Sequence, residues 1–411
     1  MPILGNTAGQ AGKTSESATI TSVTAGSGSV SVAFTEPTYK GKGSVTYTAT
    51  SSPGGLTATG TSPITVTGLS NGTAYTFTIT ALSSSGVSTI SSASSSATPV
   101  IPQAGYLVGG FNYSGNVRYS STQKITFNDD TVSIIASTLN LSRSHAAGFA
   151  NSGTAGYQAG GVETGNHTRR VDKLNFSGDT VSSSITSMSS GATAATSPAA
   201  MANSGTAGYI AGGDKTEGGV SYRTSIDKLT FSNDTISVLG ATLSQMQTQW
   251  AGSANSGTAG YYSGGYNNGS PTGSTIVKLL FSNETRSNLS TTLGVSNMTS
   301  NASHANSGTA SYWLGGFAST ITGDIQKLPF STETRSTLGA TITARDWPTG
   351  FSKSGTAGYT QGGNQRNGSY MGPNTVTISD KIAYSNDTVS SAGSLINAAF
   401  LTSGFANSGV L

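Results

Sequence analysis

At 411 residues the chain has room for two ordinary domains, or for one small domain beside one large closed architecture. Charged residues supply 9% of it, against about 25% in average domains, and the net charge of +3 is scattered, which excludes the basic stripe of a nucleic-acid binder. Cys is absent, excluding disulfides and thiolate metal sites, and the 34% of hydrophobic residues recur at regular positions, which argues against a disordered Gly/Ser chain. Residues 1–15 show no strand or helix period and read as an N-terminal arm, an attachment segment. The opening stretch has neither a basic n-region nor an apolar h-region, so no secretory signal is read there. No run approaches the ~18 apolar residues of a membrane span, so membrane insertion is not expected.

Residues 16–98 alternate apolar and polar positions in short runs, such as Ser29–Phe34, Ser44–Ala49 and Ala74–Ile79. Period two marks strands with one buried face. Turn residues at Gly26–Gly28, Gly41–Gly43, Pro53–Gly55 and Asn71–Gly72 separate them at the spacing of a sandwich. At Leu69-Ser-Asn-Gly-Thr-Ala-Tyr75 the segment resembles a fibronectin type III domain. The resemblance implies a tyrosine corner, in which the Tyr75 phenol bonds backbone upstream, and it puts Phe34 where that family carries Trp. A linker is expected at residues 99–103.

From Ala104 onward the chain is a repeat. The phrase Asn-Ser-Gly-Thr-Ala-Gly-Tyr-x-x-Gly-Gly stands at Asn151, Asn203 and Asn255, with variants at Asn306 and Lys353 and a truncated copy at Ala104. Its tyrosines are Tyr106, Tyr157, Tyr209, Tyr261, Tyr312 and Tyr359. A second phrase, Lys-x-x-aromatic followed by a turn and Thr, begins at Lys124, Lys173, Lys228, Lys278, Lys327 and Lys381. Asn, Asp and Gly in that turn tolerate positive φ and bond locally. Each unit therefore reads as four antiparallel strands, one propeller blade.

The order of strands and the Gly-Gly closing the second one resemble the kelch repeat, as do Arg143 and Arg345 near the first strand. The kelch Trp of the fourth strand is absent, with Val132, Ile134 and Ile135 in the first unit instead. The fold class expected is all-β: an immunoglobulin-like, fibronectin type III sandwich followed by a six-bladed kelch-like β-propeller over residues 104–411. The final residues, from Ser403, repeat the first-strand phrase that Ala104 lacks, so the C-terminal strand is expected to complete the first blade.

In such a blade the turns between strands one and two, and between three and four, share a face and here barely vary, whereas the remaining connections vary in length and composition. Variation among copies shows where the scaffold is free to specialise. The ligand-binding residues expected on the variable face are Tyr113, Arg118, Tyr119, His167, Arg169, Arg170, Tyr222, Arg223, Tyr266, Trp347, Arg366 and Tyr370. Aromatic rings cover the apolar face of a sugar, and amide and guanidinium groups take its hydroxyls.

No catalytic, metal or cofactor site is expected. Kelch-like copper oxidases need a Cys-linked Tyr with His ligands, and the chain offers only His145, His167 and His304. The repeated acids Asp130, Asp179, Asp234, Glu284, Glu333 and Asp387 each fall in a turn, and the repeated lysines on blade-packing or surface positions.

Taken whole, the pattern is similar to phage virion structural proteins, tail-fibre proteins of cyanobacterial phages especially. That resemblance implies a fibre, spike or decoration component of the virion. Its expected partners are other virion proteins, through the arm and sandwich, and a host-surface glycan or receptor; a homo-oligomer is compatible, and nucleic acid is not expected. The alternatives are an architectural connector between virion proteins, and a bacterial surface adhesin or carbohydrate-active enzyme.

Overall fold

The computed structural model describes residues 16–40, 43–100, 103–164, 166–189, 197–215, 221–244, 248–266, 273–294, 299–365 and 374–408, with backbone alone at 215, 221, 222, 249, 250 and 266. Among them all regular structure is β, in small antiparallel sheets, and no helix is long and apolar enough to cross a membrane. The chain divides into two compact units, Met1–Pro102 and Gln103–Leu411.

The first unit has seven strands: β1 (Thr19–Gly26), β2 (Ser29–Thr35), β3 (Val45–Ser52), β4 (Thr57–Thr59), β5 (Ile64–Thr67), β6 (Thr76–Ser83) and β7 (Ser88–Ile90). They form two sheets, β1-β2-β5 and β4-β3-β6-β7. Alternation does what period two requires, and Val30, Val32, Phe34, Tyr47, Ala49, Ile64, Val66, Phe77 and Ile79 from both sheets meet in one buried cluster. Phe34 packs on Tyr47 with ring centroids 5.0 Å apart. The Tyr75 hydroxyl accepts from the Ser70 amide at 3.1 Å. Residues 99 and 100, read from sequence as linker, bond back to this unit: Pro99 O accepts from Gly72 N and Val100 N donates to Gly26 O.

The second unit holds six four-stranded sheets. Five follow chain order, opening with the strands Ala147–Asn151, Ala199–Asn203, Thr248–Asn255, Ala302–Asn306 and Thr349–Lys353. The first sheet takes Ala104–Val108, Thr122–Thr126 and Thr131–Ile134, and its leading strand is the C-terminal Ser403–Ala406. That strand pairs Phe405 with Tyr106, and Asn407 Oδ1 accepts from Ala104 N at 2.8 Å. The leading strands lie side by side in chain order, and Ser403–Ala406 lies beside both Thr349–Lys353 and Ala147–Asn151, so the order of neighbours is cyclic.

The two repeated phrases build the joint between successive sheets. Tyr157 of the second sheet stacks on Phe231, which follows the third strand of the third sheet, at 5.2 Å. Lys173, paired across from Tyr157, lies over its ring at 5.5 Å. The Tyr157 hydroxyl and Lys173 Nζ converge on Asp234 at 3.0 and 2.8 Å. The same joint recurs as Tyr106–Asp179, Tyr209–Glu284, Tyr261–Glu333, Tyr312–Asp387 and Tyr359–Asp130, the last returning to the first sheet. Each acid stands at a φ of +50° to +56°, a left-handed turn position that aims its carboxylate at the preceding sheet. Burial, and then the adjacent carboxylate, pushes every one of these phenols well above its ordinary pKa, so all six remain neutral donors.

A second contact packs the leading strands. The Gly before the repeat Tyr leaves a niche for a side chain from a neighbouring leading strand, a ring in four sheets and Met201 at Gly260: a Cβ on Gly156 would lie 2.0 Å from Phe405, and one on Gly208 2.1 Å from Phe149. In the fifth sheet that Gly is Ser311, and the facing residue is Ser253, their hydroxyls bonded at 2.7 Å. The departure at Ser311 is matched by a smaller partner.

Candidate functional site

The two ends of the cyclic unit differ chemically. At one end the Asn-Ser-Gly turns are stitched to each other: Asn151, Asn203, Asn255 and Asn306 accept through Oδ1 from the turn Gly of the next sheet at 2.8–2.9 Å. Repetition there is consumed by connectivity. At the other end the chain enters five of the six leading strands through residues outside the repeated phrases, namely His145, Ser197, Ser300, Trp347 and Leu401. All five have φ between +48° and +58°, a conformation costing an L-residue roughly 1–2 kcal/mol. The turn points His145 N at Leu401 O (3.0 Å), Ser197 N at His145 O (2.7 Å) and Trp347 N at Ser300 O (2.7 Å), so the strained residues bond one sheet to the next as a collar.

Inside the collar lies a cavity of about 90 Å³, lined among others by His145, Ser197, Asn301, Trp347, Leu401 and Thr402. Beyond it the axis is lined by small residues, Gly148, Ala200, Gly252 and Ser303 among them. A Cβ on Gly252 would lie 2.2 Å from Ala200 O, so backbones fill the space that side chains would otherwise need. The cavity is thus a mouth open at the variable end.

Behind Trp347 and His145, which line this mouth, lies an aromatic and basic cluster. Trp347 stacks on Phe400 at 5.7 Å, and Phe400 meets the edge of Phe111 at 5.7 Å. The Arg118 guanidinium sits 5.2 Å from the Phe111 ring centre. Its Nε donates to Ser144 Oγ at 3.3 Å, and Ser144 Oγ in turn bonds His145 Nδ1 at 2.9 Å. Burial first, then the charges of Arg118 and His167, pushes the His145 pKa down to about 4.

Of the residues expected from sequence, Tyr113, Arg118, Tyr119 and Trp347 therefore fall in one neighbourhood. Tyr113 is 43% exposed with its ring edge-on to Phe111, and the Tyr119 hydroxyl accepts from Asn112 Nδ2 at 3.3 Å. His167 and Arg169 are half-buried on the neighbouring loop. Two arginines are instead held inside their sheets. Arg170 pairs with Glu163 and Asp172, and Arg223, only 6% exposed, is bonded to Ser225 and Asp227, because an unpaired buried guanidinium would be prohibitive. Arg143 and Arg345 are fully buried against Asp172 and Asp380. The side chains of Tyr222 and Tyr266, and residues Arg366 and Tyr370, lie outside the described residues, as does the arm 1–15.

Three contributors escaped sequence reasoning: His145, Asn301 and Phe400. Phe400 had a signal, since the matching positions in other units are Ser144, Thr248, Thr299 and Asp346, and an aromatic among them is an outlier. Among the described residues no group of three or more His, Cys, Asp or Glu is placed to hold a metal ion. No protein-family model matches the chain, and no curated protein matches it.

Proposed function

We propose that this chain is a structural virion component of the fibre, spike or decoration type. In this reading the N-terminal arm and a fibronectin type III sandwich attach to the particle, and a six-bladed kelch-like β-propeller presents its mouth to a glycan or receptor on the host surface. The two-sheet order of the first unit and the Tyr75–Ser70 bond support the sandwich. The cyclic order of leading strands, with the last strand completing the first sheet, supports the propeller.

One observation carries the functional part: the residues that repeat are absorbed by joints between sheets, whereas non-repeating aromatic and basic side chains gather at one end of the unit. A scaffold that only connects needs no such asymmetry. Single sugar sites bind near millimolar, so attachment would rest on many copies per particle, with avidity adding a factor of roughly 10²–10⁴.

The test is binding of the labelled full chain, displayed on beads, to candidate bacterial host cells. Saturable binding lost in Trp347→Ala supports attachment through the mouth. Binding unaffected by Trp347→Ala and Arg118→Ala, or none by a folded bead-displayed chain, rejects it and favours the architectural connector.

A further inference from the structure

We infer that the mouth takes a carboxylate-bearing sugar, its acid group received by Arg118 and His145 and its ring edge set against Trp347, which the buried Phe400 backs. This inference rests on the attachment reading and narrows it to one ligand chemistry.

The first support is the state of Arg118. Arg143, Arg170, Arg223 and Arg345 each lie within 4.0 Å of a carboxylate, as do the six repeated lysines. Among the described residues no carboxylate lies within that distance of Arg118, although its side chain is held from two sides by the Phe111 ring and Ser144 Oγ. A guanidinium fixed in place with its terminal N–H groups uncommitted to an acid is preorganised for a planar, two-oxygen acceptor. Glu163, paired across from Arg143, is taken by Arg143 and Arg170. Ser144 engages His145 Nδ1, and His145 also lines the cavity, so the Arg118 cation and the neutral His145 imidazole are joined through one hydroxyl.

The second support is Asn301. It is 7% exposed, lines the cavity, and neither side-chain amide atom has a hydrogen-bond partner. A buried amide with donor and acceptor both unsatisfied costs free energy unless something polar meets it. A sugar hydroxyl, which donates and accepts at once, satisfies both atoms. Size sets the third condition, since about 90 Å³ is well below the 300–1,000 Å³ of a pocket that engulfs a small molecule. The mouth therefore admits an edge of a terminal sugar while the rest of the ring lies against Trp347.

The experiment titrates the full chain, by saturation-transfer NMR and calorimetry, with glucuronate, galacturonate and a nonulosonic acid, and with glucose and galactose as neutral counterparts. At least one acidic sugar should bind ten-fold or more tightly than its neutral counterpart. Arg118→Gln should bring the acidic sugar down to the neutral level, and Asn301→Ala should weaken both kinds together. Thermal melting checks that each variant folds, and Arg118→Lys, which keeps charge without the planar fork, should recover only part of the preference. Equal binding of neutral and acidic sugars, or an acidic preference that survives Arg118→Gln, overturns the inference. If no sugar binds but host cells still bind in a Trp347-dependent way, the acidic-sugar inference fails and the attachment reading survives; if cells bind without regard to Trp347, the attachment reading fails as well.

Discussion

The Tyr359 hydroxyl donates to Asp130 Oδ1 at 2.7 Å, and Lys381 Nζ reaches the same carboxylate at 2.9 Å. These residues stand 229 and 251 positions apart, yet their geometry is that of Tyr157, Lys173 and Asp234 in adjacent repeats. Sheet six thus joins sheet one by the same contact that joins every other neighbouring pair. Asp130→Ala should lower stability by about 2–3 kcal/mol, as expected for losing hydrogen bonds to a charged acceptor, and Asp234→Ala should cost the same. Urea unfolding of both variants checks this; a loss at Asp234 with none at Asp130 would mean that the ring is open at its ends.

Removing residues 403–411 deletes the leading strand of the first sheet and the Phe405 ring seated against Gly156. The strand Ala104–Val108 would then become an edge with unpaired backbone. The truncated chain should lose its cooperative thermal transition and be cut rapidly by protease in the first sheet, whereas loss of residues 1–15 should leave both properties unchanged.

Packing of leading strands gives a double-mutant prediction. Gly208→Ala places a methyl 2.1 Å from the Phe149 ring and should cost roughly 3 kcal/mol through overpacking. In a Phe149→Ala background the added cost should fall below about 1 kcal/mol, because the ring is gone. Denaturant midpoints of the four proteins give the coupling directly. Additive losses would contradict the account of the Ser253–Ser311 pair as a matched replacement.

His304 occupies a leading-strand position that is Phe149, Phe351 or Phe405 elsewhere, and it is fully buried with Nδ1 2.9 Å from the Tyr384 hydroxyl. Burial pushes its pKa from 6.5 to about 3. The unfolded chain therefore takes up this proton first as pH falls, so the contribution to stability is present above pH ~6.5 and drains away towards pH ~3, at up to ~1.4 kcal/mol per pH unit. His304→Phe should flatten the decline of melting temperature over that window. An unchanged pH profile would show that His304 does not stay neutral in the folded protein.

Much of this architecture is legible in the sequence because it repeats. Tyr157, Lys173 and Asp234 can be marked as a recurring set by inspection, since each satisfies a local need: a strand face, a cross-strand partner, a turn with positive φ. That the three converge across a sheet boundary is not legible, because the tyrosine and lysine of one repeat meet the acid of the next, 77 and 61 positions away. The same limit governs the mouth. Tyr113, Arg118 and Trp347 stand out as unusual loop residues, but Trp347 reaches Phe111 only through Phe400, which comes from the connection preceding the final strand. Arg223 looks like a loop residue by sequence and is buried because Asp227, four positions on, supplies its counter-charge.

The division of labour between the two ends is the central claim, and cell binding by the full chain tests it most directly. Bead-displayed wild type would be compared with Trp347→Ala and Arg118→Gln at the mouth, and with Asn203→Ser and Asn255→Ser on the stitched turns, each first shown to be folded by its thermal transition. The account predicts that the mouth variants lose host-cell binding while melting within a few degrees of wild type, and that the turn variants melt lower but bind as wild type does while folded. Loss of binding in the turn variants with retention in the mouth variants would place the contact surface at the opposite end and contradict the account.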